Sequence, residues 1–293
     1  WNPLEGLNFK TNFGPDFRYY RRGIYIDKTS AVRQGGTSYA SWNYERKFSW
    51  VLDNILTYNK EIDSHRFDIT LLQSASKYDT ETGSMTAQNI PKSSFKWNNM
   101  GSVDITSSDA RAGMGTGLVQ SQLASYMGRL NYAFQNKYLV TFSGRYDGSS
   151  VLSQGHKWSF FPSAALGWRM DQESFMQDIS WLEQLKLRFG YGMTGNSAVS
   201  PYDTLGSIRS MWLPFGGTGN VLGYGTNEPY YFSGTTPMAN PSLEWEKTTQ
   251  WNFGVDFTFL RGRINGAVDV YGSQTRDILM YMTIPTLTGY NTS

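Results

Sequence analysis

Tyr138-Leu139-Val140-Thr141-Phe142-Ser143-Gly144-Arg145-Tyr146-Asp147 is the stretch that decides how this chain folds. Tyr138, Val140, Phe142 and Tyr146 fall on one side of it, and Thr141, Ser143, Arg145 and Asp147 on the other. A strand turns successive side chains to opposite faces, so this period of two predicts a ribbon with one aromatic, apolar face and one charged, polar face. The neighbours repeat the pattern. Trp158, Phe160, Ala164, Leu166, Trp168 and Met170 oppose Lys157, Ser159, Ser163, Gly167, Arg169 and Asp171; Leu185, Leu187, Phe189, Tyr191 and Met193 oppose Lys186, Arg188, Gly190, Gly192 and Thr194. The apolar face carries Trp and Tyr at its ends, and the opposite face carries small residues and charges. That arrangement predicts the wall of an all-β, transmembrane, antiparallel up-and-down β-barrel.

Composition excludes several alternatives. With no Cys among 293 residues, disulfide frameworks and thiolate metal sites are out. A net charge of +2, with Lys and Arg scattered along the chain, argues against a nucleic-acid partner. No run of about 18 apolar residues occurs, so a transmembrane helix is excluded. The mean hydropathy of −0.46 is compatible with a barrel, whose strands show lipid only every second residue. The opening Trp1-Asn2-Pro3 shows no basic or apolar leader segment, which a mature chain or an internal piece would lack in any case.

Further strands are expected from Leu4 to Tyr20, from Trp50 to Tyr58, from Phe67 to Leu71, and from Tyr126 to Phe134. After the long connection two more follow, Trp251 to Phe259 and Ile264 to Val270. Residues 21–44 are read as a polar stretch, and residues 78–117, rich in Ser, Thr, Asn, Asp and Gly, as a long loop. Gln135-Asn136 and Arg261-Gly262 are tight turns, Gly148 to His156 a modest loop, and Asn196 to Ser242 a very long one. Apart from the modest loop, long connections fall at one end of the strands and short ones at the other, as external loops and periplasmic turns do. About nine strands are expected, an odd number. Single-chain bacterial barrels close on even numbers and open edges are costly in lipid, so these strands are expected to be part of a larger barrel. Pro162, which cannot donate to a ladder, predicts a local bulge.

The alternation assigns side chains to surroundings. Phe142, Leu166, Trp168, Leu187, Phe189, Phe253 and Phe257 are expected to face lipid, and Arg129, Ser143, Arg145, Arg169, Arg188 and Asp256 the lumen. Tyr132, Phe134, Tyr138, Phe257 and Phe259 lie beside tight turns, where an interfacial girdle belongs. The loop aromatics Trp212, Phe215, Tyr224, Tyr230, Tyr231 and Phe232 follow no strand pattern; they either pack on one another or stack on a ligand or partner.

Other signals reduce to bland readings. Gly190 to Gly195 spells G-x-G-x-x-G after a strand, but no helix pattern follows, so no dinucleotide site is expected. Glu244 and Glu246 could supply two carboxyls to a glycosidase, yet Thr248, Gln250, Asn252 and Asp256 continue the same polar face. His65 and His156 are far apart, which speaks against a metal site or a triad. No catalysis and no cofactor are predicted.

A set of runs in fixed order resembles the SusC/RagA family of TonB-dependent outer-membrane transporters of Bacteroidota. These runs are Gly128-Arg129-Leu130-Asn131-Tyr132, Lys137-Tyr138-Leu139, Asp147-Gly148-Ser149-Ser150, Phe161-Pro162-Ser163, Gly167-Trp168, Tyr191-Gly192 with Thr194-Gly195-Asn196, and Asn240-Pro241-Ser242-Leu243-Glu244-Trp245-Glu246. Tyr271, Thr275 and Asp277 fit the strand that follows. The resemblance implies a plugged barrel of roughly twenty-two strands. It also implies a TonB-contacting segment and a SusD-like surface lipoprotein closing over the barrel, importing oligosaccharide or peptide. Only the central barrel portion is matched here, without plug or TonB segment. After Ser150 the family continues with a basic residue and an aromatic, where this chain has Val151-Leu152. A passive porin, or a soluble carbohydrate-binding β protein, would share the alternation.

Overall fold

In the computed structural model, residues 4–34, 36–104, 106, 112–205, 209–210, 230–231 and 239–282 are described. Among them, eleven strands run β1 (Leu7–Ile26), β2 (Tyr39–Ile62), β3 (His65–Gln88), β4 (Ala112–Phe134), β5 (Tyr138–Ser149), β6 (Trp158–Arg169), β7 (Leu182–Asn196), β8 (Arg209–Ser210), β9 (Tyr230–Tyr231), β10 (Glu246–Phe259) and β11 (Ile264–Arg276). Nine form one sheet in the order β1-β2-β3-β4-β5-β6-β7-β10-β11, so, with β8 and β9 set aside, each strand lies beside the one before it in the chain. β8 and β9 pair only with each other. The expected up-and-down β meander is what the chain forms.

The turns explain the tight reversals. Gln135 and Asn136 have φ of 51° and 55°, the left-handed pair of a tight turn closed by the Lys137 N–H on the Phe134 carbonyl at 2.9 Å. Leu260, Arg261 and Gly262 are left-handed in the same way between β10 and β11.

Three expectations are corrected. The first strand runs on to Ile26 and the next begins at Tyr39, so of the polar stretch 21–44 only residues 27–38 lie between strands. Residues 78–117 are not a loop throughout, because β3 continues to Gln88 and β4 starts at Ala112. Both stretches lack an apolar alternation because a ladder is held by backbone hydrogen bonds and needs a greasy face only where that face is to be covered. The bulge at Pro162 is also absent. Gly144↔Pro162 sits inside an unbroken β5–β6 register, while the β6–β7 ladder begins one residue later at Ser163↔Gly192. Proline is tolerated because it stands where that ladder ends.

The chain divides into two compact units. Trp1–Asn12, Asp53–Ala75 and Leu123–Ser293 form the first; Phe13–Leu52 and Ser76–Gln122 form the second. In the second, Ala40, Ala87, Ile90 and Val103 make a small core packed by Tyr25, Phe95, Trp97 and Met100. In the first, Val151, Leu152, Phe161 and Trp245 make another, packed by Leu123, Met193, Val199 and Leu243. Apart from these clusters, large apolar side chains stand exposed: Phe142 at 53%, Leu166 at 49% and Phe253 at 44%.

Candidate functional site

The strand register resolves the first unit into rows. Tyr132, Val140, Leu166, Phe189, Phe253 and Val270 follow one another across β4, β5, β6, β7, β10 and β11. Leu130, Phe142, Ala164, Tyr191 and Trp251 form the parallel row two residues away. These rows make one continuous apolar face. Rings close it at both ends: Tyr126, Tyr146 and Trp158 stack at the long-connection end, with centroids of 6.2 Å and 4.9 Å to the tryptophan. At the short-turn end His65 lies 4.7 Å from Phe134, Phe67 5.0 Å from Tyr132, and Trp181 5.3 Å from Phe259. His65 Nδ1 is 2.8 Å from the Tyr132 hydroxyl, so this histidine is part of the aromatic band.

The residues expected on the other side share one face. Arg129 and Ser143 are paired, Ser143 pairs Ser163, and Arg145, Arg169, Arg188 and Asp256 stand at even offsets from that row or from its continuation through Gly192 and Gln250. The structure draws most of these charges into ion pairs. Arg188 grips Asp256 through Nε and Nη2, both at 2.8 Å, and its Nη2 also reaches Asp269 at 3.1 Å. Asn252 donates to the same Asp269 oxygen at 3.3 Å. Gly254 makes room for this cluster, since a Cβ there would collide with Asp269 Oδ1 and stand 2.8 Å from Arg188 Cζ. Arg145 holds Asp147 at 2.7 Å and donates to the buried Ser125 hydroxyl at 3.0 Å. Arg169 reaches Asp171 at 3.4 Å. Arg129 is exposed and has no charged or hydrogen-bonding partner among the described residues. Five charges scattered through the sequence thus become a charged, hydrogen-bonding surface.

A second assembly was not visible from alternation. The runs at 147–150, 161–163, 191–196 and 240–246 meet at the long-connection end of the first unit. Ser153 N–H donates to the Leu243 carbonyl at 3.1 Å, Leu243 N–H donates back to Ser153 Oγ at 3.1 Å, and Ser153 Oγ donates to the Asn240 carbonyl at 2.8 Å. Trp245 donates its indole N–H to the Lys157 carbonyl at 2.8 Å and meets the Phe161 ring edge-on at 5.4 Å. Phe161 in turn covers Gly195, where a Cβ would collide with the ring. Val151 and Leu152, where the family pattern has a basic residue and an aromatic, are 8% and 1% exposed and fill the middle of this cluster. The one sequence signal for it was that these runs recur in fixed order.

Of the loop aromatics, Trp212, Phe215, Tyr224 and Phe232 lie outside the described residues; Tyr230 and Tyr231 form β9, paired with Ser210 and Arg209. Glu244 and Glu246 serve structure: Glu244 pairs Lys247 at 3.3 Å, and Glu246 accepts from Asn196 at 3.3 Å and from the Leu279 N–H at 3.0 Å. Gly190 to Gly195 is ordinary β7. Among the described residues no cluster of three or more His, Asp or Glu could hold a metal.

Comparison with known proteins bears on this geometry. A family described as TonB dependent receptor-like, beta-barrel, matches residues 2–292. TonB-dependent receptor SusC of Bacteroides thetaiotaomicron is 34% identical, a match taking in 97% of this chain and 28% of that protein. TonB-dependent receptor P26 of Formosa agariphila is 33% identical over 99% of this chain and 28% of its own length. The RagAB peptide transporter has the same fold over 99% of this chain and 30% of that one, with a TM-score of 0.81 at 21% identity. This chain therefore spans a little over a quarter of the curated relatives it matches.

Proposed function

The chain belongs to the TonB-dependent receptor-like β-barrel family, as a SusC/RagA-like member in the outer membrane, and from that premise we propose that it forms part of the barrel wall of an energy-coupled importer. Its relatives are receptors, not enzymes, and so is this chain. The observation that carries the proposal is the pair of opposite faces on one sheet. From the Tyr138↔Trp168 pair to the Gly148↔Trp158 pair is a ten-residue step. At about 3.4 Å per residue and a strand tilt of about 40° it rises about 25 Å, the height of the apolar band of an outer-membrane barrel. The aromatic stacks lie at its two edges, where interfacial rings belong.

On this reading the apolar rows face lipid, and Arg129, Arg145, Arg169, Arg188 and Asp256 face the lumen. A plug and a TonB-contacting segment would be supplied from outside these residues. The substrate is an oligosaccharide or a peptide, and the partner is a SusD-like surface lipoprotein. Trp212, Phe215, Tyr224, Tyr230 and Tyr231, in the longest connection, would contact substrate or that lid; a connection of this length is commonly functional. The RagAB relative, named a peptide transporter, supports the peptide alternative, and the named SusC relative supports membership of the same transporter group.

The test is uptake by cells carrying the full-length transporter, offered fluorescent oligosaccharides and peptides with and without a functional TonB. Import that requires TonB, and that weakens together with lipoprotein co-purification when residues 214–226 are trimmed, is the expected result. TonB-independent leakage of small solutes would make the protein a passive porin instead.

A further inference from the structure

The apolar face of the first unit is not level. Gly128 and Gly144 pair directly across β4 and β5, between the Tyr126↔Tyr146 pair and the Leu130↔Phe142 pair. Two adjacent positions therefore lack side chains, and Phe160 leans over one of them, its ring 2.7 Å from where a Cβ of Gly144 would be. The result is a groove of about 550 Å³ walled by Phe9, Leu56, Leu71, Tyr126, Tyr146 and Phe160. Asn54 and Gln73 line it as well. Asn54 accepts from Thr11 Oγ1 at 2.9 Å and donates to Gln73 Oε1 at 2.6 Å. That leaves the Gln73 amide N–H groups and the two tyrosine hydroxyls without hydrogen-bond partners among the described residues. Among the described residues no charged side chain lines the groove.

We propose that this groove holds one acyl chain of an outer-leaflet glycolipid, with the carbonyl that links the chain to its sugar accepting from the Gln73 amide. The inference rests on the reading that this face meets the bilayer. A trough in such a face is either filled by a hydrocarbon chain or left with its lining short of contacts, and lipid chains are the material that surrounds it. Depth sets the polar end. The stacked Tyr126, Tyr146 and Trp158 mark the interface on the side of the long connections, which is the external side in this architecture. Gln73 lines the same groove as those tyrosines, so its donors lie where an acyl chain meets its headgroup. With no cation among the described residues that line the groove, recognition of a phosphate, which is held by charged donors, is disfavoured, and uncharged amide, ester and hydroxyl groups are the matching chemistry.

The experiment reconstitutes the delipidated full-length transporter in nanodiscs of lipid A and phosphatidylethanolamine and counts retained lipids by native mass spectrometry. Gly128→Leu is the filling variant, since its Cβ would meet only Leu71 Cδ2 at 3.6 Å, an ordinary contact. Wild type should retain one lipid A more than Gly128→Leu, and Gln73→Leu should lower retention about five-fold, the worth of one hydrogen bond. Val270→Leu, on the same face but away from the groove, should retain lipid A as wild type does. Equal retention by wild type and Gly128→Leu, retention of phosphatidylethanolamine alone, or no retained lipid would each overturn the proposal. If Gly128→Leu fails to assemble, as judged by heat-modifiable mobility, the Gln73→Leu comparison decides. TonB-dependent uptake by the same protein is read separately, so loss of the lipid site and loss of the transporter reading are distinguishable.

Discussion

Tyr132, Val140, Leu166, Phe189, Phe253 and Val270 follow one another across one face of the sheet. One residue further along each strand, Ala133, Leu139, Gly167, Arg188, Gly254 and Asp269 follow one another across the other. The rings of the first row stand open, while on the second face the Arg188 guanidinium and the carboxylates of Asp269 and the neighbouring Asp256 satisfy one another at 2.8–3.1 Å. In a water-soluble protein burial runs the other way, with apolar side chains hidden and charges solvated. Here the largest fully buried side chains among the described residues are only Leu152 and Ser125, whereas Phe142 is half exposed. The contrast teaches that hydrophobicity on this sheet is chiefly solvation by lipid, and that packing of protein on protein is concentrated in small clusters such as the one around Trp245.

The largest effect should come from that cluster. Trp245→Ala removes a ring 5% exposed, its edge contact with Phe161 and its hydrogen bond to Lys157, and should cost about 3–5 kcal/mol in the urea unfolding of the full-length protein. Phe253→Leu, on the open face, should change the same midpoint by less than about 1.5 kcal/mol, because the volume is nearly conserved and lipid fills the remainder. Comparable losses at the two positions would mean that the open face is covered by protein.

The next effect separates the faces by a single residue step. Phe189→Arg places a charge in the middle of the apolar row and should cost about 2–4 kcal/mol. Gly190→Arg points to the other face, where nothing lies within 4 Å of a Cβ, and should leave the heat-modifiable assembled fraction close to wild type. The reverse outcome would shift the register by one residue and exchange the two faces. Gly254→Ala should follow, at about 1–2 kcal/mol, between the values for exposed and buried ion pairs. Its methyl would collide with the Arg188–Asp269 contact. Arg188→Met should give a similar loss and make Gly254→Ala nearly neutral in the double variant; additive losses would show that the glycine and the ion cluster act independently.

Most of the sheet was legible because period two leaves a mark wherever the two faces meet different solvents. Phe142 against Ser143 and Phe189 against Arg188 carry that mark. It vanishes where both faces are polar, which is why β3 beyond Ala75 and β4 before Leu118 read as loop. Turn chemistry was legible at Gln135-Asn136 and Arg261-Gly262 because Asn136 and Gly262 are of the few residue types that left-handed backbone favours, whereas Gln135, Leu260 and Arg261 are not. Ion partners were less so: Arg188 and Asp256 were placed on one face, but Asp269 joins them only through a third strand whose register no single residue announces. The Trp245 cluster was least legible, since it brings together segments separated by a long connection. There Val151-Leu152 looked like a departure from the family pattern and turned out to be the packed centre.

The smallest expected effect tests whether the short-turn edge of the apolar face is pinned from outside. Glu173, in the connection between β6 and β7, accepts from the Tyr138 hydroxyl at 2.6 Å and from the Trp168 indole at 3.1 Å, with Lys137 Nζ at 3.6 Å. Tyr138 and Trp168 are directly paired across β5 and β6, so one carboxylate holds two neighbouring rings of the aromatic edge. Those donors, the tyrosine first, then the indole and the lysine, hold the Glu173 carboxyl below its ordinary value of 4.5. A carboxyl depressed in the folded state contributes stability that is fully present above the unfolded value and is lost as pH falls through the folded one. Glu173→Gln keeps an acceptor but not the charge. Wild type should therefore unfold at slightly higher urea than Glu173→Gln at pH 7, with the gap unchanged down to pH about 5 and closing below the ordinary carboxyl value. A gap that persists undiminished at pH 3 would mean that the glutamate acts through shape and not through its charge, and that the aromatic edge keeps its geometry without it.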